Sequence, residues 1–190
     1  MKTSLLYLAL FCTNAALAAS PVQDNASVDS SAANYQGNLS INQAAGDQQQ
    51  QANARSMAIG HEASARTTII QRIDTPSSRA IDANASISGN AFSNGSGVLG
   101  INQSAGAATQ QANAVRISIS AVPQSIDDSV LLQQNVALSN SSDPTSNAPG
   151  SRQVNTSDQA FTGSRGVVQL NQSAGVGNRM ANTLSIRVAD

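Results

Sequence analysis

Amide side chains are the residues of this sequence whose types and spacing could do chemistry together. An Asn-Gln pair recurs at 42–43, 102–103 and 171–172, and a further Asn follows each Gln ten residues later. An amide donates and accepts hydrogen bonds at once, so identical amides in register can hydrogen-bond along a stack of chains or repeats. The chemistry that this pattern predicts is self-association.

Residues suited to catalysis or metal binding are few and scattered. The single His61 stands beside Glu62, but adjacent residues in a flexible linker are not held in place as an acid-base pair. The Asp127-Asp128 pair fits a solvated turn better than a cation site. The one cysteine, Cys12, lies in an apolar run near the start, so no His/Cys metal cluster exists. The glycines follow the repeat and not a phosphate-binding spacing. The sequence therefore predicts a protein that is not an enzyme and uses neither a metal nor a cofactor.

The amides belong to a motif, G-x3-[IL]-N-Q-[AS]-A-G-x5-A-N, that occurs three times. The copies begin at Gly37, Gly97 and Gly166, align without a gap, and are 60 and 69 residues apart. An internal repeat at a period of this size is typical of stacked architectures, in which each unit needs its neighbours to bury a core.

Polar and apolar residues alternate on both sides of the Ala-Gly pair in each motif. In the second copy Leu99, Ile101 and Gln103 share one parity, and the run from Gln111 to Ile119 alternates in the same way. A period of two predicts strands, and the Gly between them tolerates the positive φ that a tight turn can need. Each copy is therefore predicted to be strand, turn, strand.

One such unit has only a thin aliphatic stripe and would bury too little apolar surface to fold alone. Stacking the copies in register would place like residues in rows about 4.8 Å apart. The predicted ladder rows are Asn42, Asn102 and Asn171; Gln43, Gln103 and Gln172; Gly46, Gly106 and Gly175; and Asn53, Asn113 and Asn182, beside an aliphatic stack of Ile41, Ile101 and Leu170. The predicted fold is all-β, with three stacked strand-turn-strand repeats, solenoid-like or cross-β, and disordered linkers.

The rest of the chain flanks or joins the repeats. Residues 1–18 read as a secretory signal peptide, with Lys2, a short apolar run and an Ala16-Leu17-Ala18 cleavage pattern. The predicted organisation continues with a flexible leader (19–33), repeat 1 (34–59), linker 1 (60–81), repeat 2 (82–119), linker 2 (120–153) and repeat 3 (154–190). Residues 24–28 echo 82–87, so the unit can begin before the motif, and 130–138 fits either a helix or a strand.

The amino-acid composition narrows the class of protein further. After the signal peptide the only aromatic residues are Tyr35, Phe92 and Phe161, too few for a conventional globular core. The whole chain has 10 basic and 11 acidic residues, and a net charge this close to zero argues against nucleic acid or a membrane surface as a partner. All five prolines lie outside the repeat cores, as interior strands require.

The motif resembles the repeats of the Fap functional amyloids of pseudomonads, which read roughly G-V-N-x-A-A-G-x-x-N-Q-Q. The matching residues are 41–46 with 50–53, and 101–106 with 110–113, and three repeats with two linkers behind a signal peptide fit the family's plan. The resemblance implies export through an outer-membrane pore and assembly with a major amyloid subunit into biofilm fibrils at the cell surface.

The third copy departs from the family's repeat, because Arg179 and Met180 stand where the second copy has Gln110 and Gln111. This departure favours a minor or nucleating fibril subunit over the major one. Two alternatives remain at this point: a periplasmic chaperone or accessory protein for the major subunit, and a β-solenoid adhesin that does not polymerise.

Overall fold

The computed structural model describes residues 21–73, 80–121, 134–136 and 150–189, and all of its regular structure there is β. The first repeat contains β1 (Val22–Asp29), β2 (Gln36–Ala45) and β3 (Gln50–Gly60), and β4 (Ile69–Gln71) follows in linker 1. The second contains β5 (Ile81–Ser88), β6 (Ser96–Ala107) and β7 (Gln110–Ser120), and β8 (Gln134–Val136) follows in linker 2. The third contains β9 (Arg152–Thr156), β10 (Arg165–Val176) and β11 (Arg179–Ala189).

The three repeats stack into three parallel sheets, each with one strand from every repeat. Sheet A has the order β1-β5-β9, sheet B β2-β6-β10 and sheet C β3-β7-β11. Gly37, Gly97 and Gly166 are register partners in sheet B, so the sequence offsets of the motif are the offsets of the pairing. The predicted all-β stack of three repeats is confirmed.

Each repeat has one strand more than the motif alone indicates. The segment predicted as a flexible leader contains β1, which pairs in parallel with β5, so that expectation was wrong. Asn25-Ala26-Ser27-Val28 lies in register with Asn84-Ala85-Ser86-Ile87, and Ala26 and Val28 point inward. The inward residues Ala26 and Val28 pack against sheet B, as Ala85 and Ile87 do in the second repeat.

The linkers contribute a short parallel pair of their own. Strand β4 pairs with β8, with Ile70 opposite Asn135, so the part of 130–138 that the structure describes is extended. The predicted signal peptide (1–18) and the Asp127-Asp128 pair lie outside the described residues. The residues that the structure does describe include no helix of the length and apolarity needed to cross a membrane.

Sheet B is the middle layer and presents a different chemistry on each face. Toward sheet A, Leu99 and Ile101 pack with Val28, Ile87 and Phe92, and the Phe92 ring stacks on that of Phe161 with centroids 5.3 Å apart. Toward sheet C, the polar side chains of β6 are the amide of Asn102 and the hydroxyl of Ser104. With their neighbours they form what we call the amide layer: Asn42, Asn102, Asn171, Ser104 and Ser173 of sheet B with Gln51, Gln111, Asn53, Asn113 and Asn182 of sheet C.

Burial is highest in the second repeat. Ile101, Asn102, Gln103 and Gln111 are 0 % exposed because the first and third repeats cover them above and below. The strands of the outer repeats, in contrast, lie at the edges of their sheets. The stack therefore ends in two faces that have the same backbone pattern as its interior.

Candidate functional site: the amide layer

The row of Asn42, Asn102 and Asn171 runs through the amide layer along the stacking direction. Asn102 Nδ2 donates to Asn42 Oδ1 at 2.9 Å, and Asn171 Nδ2 donates to Asn102 Oδ1 at 2.9 Å. Their backbones pair in register in sheet B, which holds each side chain directly over the next. Residues that are 60 and 69 positions apart in the sequence are thus joined by a continuous chain of hydrogen bonds.

A second asparagine row interlocks with the first from sheet C. Asn113 Nδ2 donates to Asn53 Oδ1 at 3.0 Å, and Asn182 Nδ2 donates to Asn113 Oδ1 at 3.1 Å. Asn113 Nδ2 also lies 3.0 Å from Asn102 Oδ1, and Asn182 Nδ2 lies 2.9 Å from Asn171 Oδ1. The two rows therefore join sheet B to sheet C with hydrogen bonds both along and across the stack.

Asn102 shows how completely this network is satisfied. Its Nδ2 donates to Asn42 Oδ1 and, at 2.8 Å, to the Ala52 carbonyl, while its Oδ1 accepts from Asn113 and Asn171. Both protons and both acceptor positions of the amide are used, so its burial leaves no polar group unpaired. Such a network stabilises one register, since any slip would leave several buried amides without partners.

The glutamine row lies on the opposite face of sheet B and joins it to sheet A. Gln103 Nε2 donates to Gln43 Oε1 at 2.7 Å, and Gln172 Nε2 donates to Gln103 Oε1 at 2.8 Å. Gln103 Nε2 also lies 2.9 Å from the Ser86 carbonyl of β5. The glutamine row thus lies between sheets A and B among apolar side chains. It hydrogen-bonds to the backbone of β5, a strand that the motif does not include.

The aliphatic residues predicted to stack also share one row. Ile101 is 0 % exposed in the core beside Leu99, while Ile41 and Leu170 are partly buried and pack against the same cluster. The row is register-paired in sheet B, and it supplies apolar contact next to the glutamine row.

The glycine row allows the chain to leave sheet B and enter sheet C without opening the stack. Gly46, Gly106 and Gly175 have φ values of +104°, +116° and +120°, which side-chain-bearing residues rarely adopt. A Cβ atom on Gly106 would lie 2.0 Å from the Gly175 carbonyl oxygen. The repeats approach closely at this row only because no side chain stands there.

Further rows in the structure were not among the predicted site residues. Gln51 Nε2 donates to Gln111 Oε1 at 3.1 Å, and Gln111 Nε2 donates to Ser173 Oγ at 3.0 Å. On the other face of sheet C, Gln110 Nε2 donates to Gln50 Oε1 at 3.0 Å. The sequence does contain a pattern that predicts these rows, because the Gln-Gln pair at 50–51 recurs at the same 60-residue offset as the Asn-Gln pair.

Charged groups stand at the margins of these rows. Arg55 donates to the Leu39 carbonyl and to Ser40 Oγ, and partial burial lowers the pKa of its guanidinium. The pKa of Asp82, on the outer face of sheet A, is held below its usual value mainly by the Ser151 backbone N–H, which donates to it at 2.7 Å. Side-chain hydrogen bonds from Gln23 and Ser151 act in the same direction.

The arrangement is one of hydrogen bonding and packing. In the ranges that the structure describes, no group of three or more His, Cys, Asp or Glu side chains is placed to hold a metal ion. His61 and Glu62 are exposed, and the His61 carbonyl accepts a hydrogen bond from Ser120 Oγ at 3.0 Å.

Comparison with known proteins agrees with this geometry. No solved structure matches the chain. Residues 11–189, nearly the whole chain, match a family described as the functional amyloid protein FapB/FapC family. With its three in-register repeats and amide rows, the chain belongs to the functional amyloid protein FapB/FapC family.

Proposed function

We propose that this protein is a secreted fibril subunit that stacks copies of itself, and of a companion major subunit, into cross-β fibrils at the cell surface. The observation that carries the proposal is the parallel, in-register stack with an open edge at each end. The edge of the third repeat presents Asn171 and Gln172 where the first repeat presents Asn42 and Gln43. A second copy can therefore continue these two rows of sheet B with the same spacing and hydrogen bonds.

Within such fibrils we assign the chain a minor, nucleating role. The glutamine rows of sheet C are interrupted in the third repeat, where Arg179 lies over Gln110 and Met180 lies over Gln111. Arg179 Nε still donates to Gln110 Oε1 at 2.8 Å, but neither residue offers an amide to a following copy. A chain with complete rows in the first two repeats and shortened rows in the third is suited to starting a stack that another subunit extends.

The experiment is assembly of the chain from residue 19 after removal of denaturant. We expect thioflavin-positive fibres with diffraction near 4.8 Å and about 10 Å. Substoichiometric amounts should shorten the lag of a major subunit of the same family. A chain that stays monomeric at micromolar concentration for days would contradict the fibril role, and a monomer that lengthens the partner's lag would identify a chaperone instead. In this proposal the protein reaches the cell surface through the periplasm and an outer-membrane export pore.

A further inference from the structure

One inward-facing row of sheet A carries opposite charges at its two ends. Asp24 of β1 is in register with Ala83 of β5, and Ala83 is in register with Arg152 of β9. Asp24 has the same parity as the buried Ala26 and Val28, so this row points toward sheet B. The position is therefore acidic in the first repeat, neutral in the second and basic in the third.

The two charged side chains occupy equivalent places in their repeats. A Cβ atom added to Gly46 would lie 2.6 Å from Asp24 Oδ2, and one added to Gly175 would lie 2.7 Å from Arg152 Cδ. Gly46 and Gly175 belong to the same glycine row, so each charged side chain rests against the turn glycine of its own repeat. The fold consequently accepts either charge at this position, and the arrangement of charges is not dictated by space.

Within one chain these charges are separated by two strand spacings, roughly 9.6 Å, with Ala83 between them. In a stack that continues with the same register, Arg152 of one copy is one spacing, about 4.8 Å, from Asp24 of the next copy. The row then reads acidic, neutral, basic throughout the fibre, and each junction between copies brings one carboxylate to one guanidinium. Asp24 is only 7 % exposed even at its open edge, whereas Arg152 is exposed until a further copy covers it.

The charges of whole repeats follow the same direction. The described part of the first repeat has Asp24, Asp29 and Asp47 against Arg55, a net charge of −2. The second has Asp82 against Arg116 and is neutral, and the third has Arg152, Arg165, Arg179 and Arg187 against Asp158, a net charge of +3. The two open faces of the stack are thus electrostatically complementary to each other, and each repels a copy of itself.

We propose that, in fibres of this chain alone, the Asp24–Arg152 contact sets the polarity of assembly, so that the occupant of each open face is the opposite face of a second copy. The inference rests on the proposed fibril function and adds a direction to it. Contact between two first-repeat faces would bring two acidic faces together, and contact between two third-repeat faces would bring two basic faces together. Only head-to-tail addition pairs the charges while keeping every strand parallel and in register.

Charge reversal in seeded elongation tests the proposal. Asp24→Arg and Arg152→Asp should each slow self-seeded elongation by at least about tenfold, since each puts like charges at every junction. The double variant Asp24→Arg/Arg152→Asp should return to within about threefold of wild type. Double-variant monomers should not elongate wild-type fibres, because both junctions with wild-type ends then oppose like charges.

Arg165→Asp is the matched control. It changes the net charge of the third repeat by the same amount, but the register places Arg165 over Ser96 and, across a junction, over the neutral Gln36. Its elongation should stay within about threefold of wild type, since it breaks no charge pair.

Four outcomes would overturn the inference. Wild-type elongation rates for the single variants, or a double variant as slow as the single variants, would show that Asp24 and Arg152 do not pair across the junction. The fibril function would still stand in that case, provided that the wild-type chain forms fibres. Absence of wild-type fibres would remove the fibril function as well. Efficient cross-seeding between the double variant and wild type would show that the charges do not set the polarity.

Discussion

At the scale of single residues, the stack depends on amides that are both buried and fully paired. Asn102 has hydrogen-bond partners for all of its donor and acceptor positions, whereas Asn42 is exposed because its row ends there. A net contribution of about 1 kcal/mol per hydrogen bond is modest. The larger effect is the penalty for leaving any member of the row unpaired, and this penalty selects the register.

Asn102→Asp tests that penalty with almost no change in volume. The substitution removes both donors and puts a carboxylate against Asn42 Oδ1 and the Ala52 carbonyl oxygen. At neutral pH we expect a loss of about 3–5 kcal/mol in fibre stability, seen as a lower denaturant midpoint for fibre dissolution and a longer lag.

The pH dependence of this variant has a definite sign. Burial raises the pKa of the introduced carboxyl in the fibre above its unfolded value of about 4. Its destabilisation therefore grows as pH rises from about 4 through the raised pKa and recedes below it. Asn90→Asp, at an exposed turn of the same repeat, is the control and should behave like wild type. Identical behaviour of the two variants would mean that Asn102 is not in a buried row.

At the scale of strands and turns, the period-two alternation and the fixed offsets suffice to predict sheets B and C and their register. Strand β1 was missed because Asn25-Ala26-Ser27-Val28 is short and made of small residues, so its inward face carries little hydrophobic signal. Its pairing with β5 was indicated only by the echo between residues 24–28 and 82–87, because a strand is stabilised by its packing against neighbouring strands and not by its own residues alone. The role of the amide rows as an assembly site stays a prediction.

Gly106→Ala tests the turn that joins β6 to β7. The added methyl group would meet the Gly175 carbonyl oxygen at 2.0 Å, and the backbone has a φ of +116°. The conformational strain alone costs about 1–3 kcal/mol, and the close approach of the repeats would be lost in addition.

We expect this variant to form fibres slowly or not at all in thioflavin and sedimentation assays. The matched control is Gly60→Ala at the end of β3, where the nearest atom to an added Cβ is 4.0 Å away. Equal assembly by both variants would show that close packing at the glycine row is not required.

At the scale of the whole molecule, each repeat contacts mainly the repeat above and the repeat below. Stability in such a stack is roughly a sum of repeat and nearest-neighbour interface terms. The second repeat holds the best-buried core, including Phe92, Leu99 and Ile101 at 0 % exposed. The outer repeats gain equivalent burial only when further copies cover them, which makes assembly the means by which the remaining faces are stabilised.

Deleting residues 61–120 tests this nearest-neighbour description. The deletion removes 60 residues, the offset between the first two motifs, so Asn42 can pair directly with Asn171. Gly60 lies over Ser120 in sheet C, so the second linker can begin from Gly60 and reach β9 as it does from Ser120. We expect fibres with the same spacing near 4.8 Å, but at a higher critical concentration because the apolar core of the second repeat is gone.

The control for this shortened chain is deletion of Gln103 alone from the full chain. Removing one residue inside β6 moves every later side chain of that strand to the opposite face. Ser104 would then face the apolar layer and Ala105 the amide layer. We therefore expect the deletion of one residue to impair assembly more than the deletion of 60 residues does. The measurement is the concentration of soluble protein left at equilibrium. If the 60-residue deletion abolished fibres while loss of Gln103 did not, the stack would depend on chain length and the second linker rather than on register between neighbouring repeats.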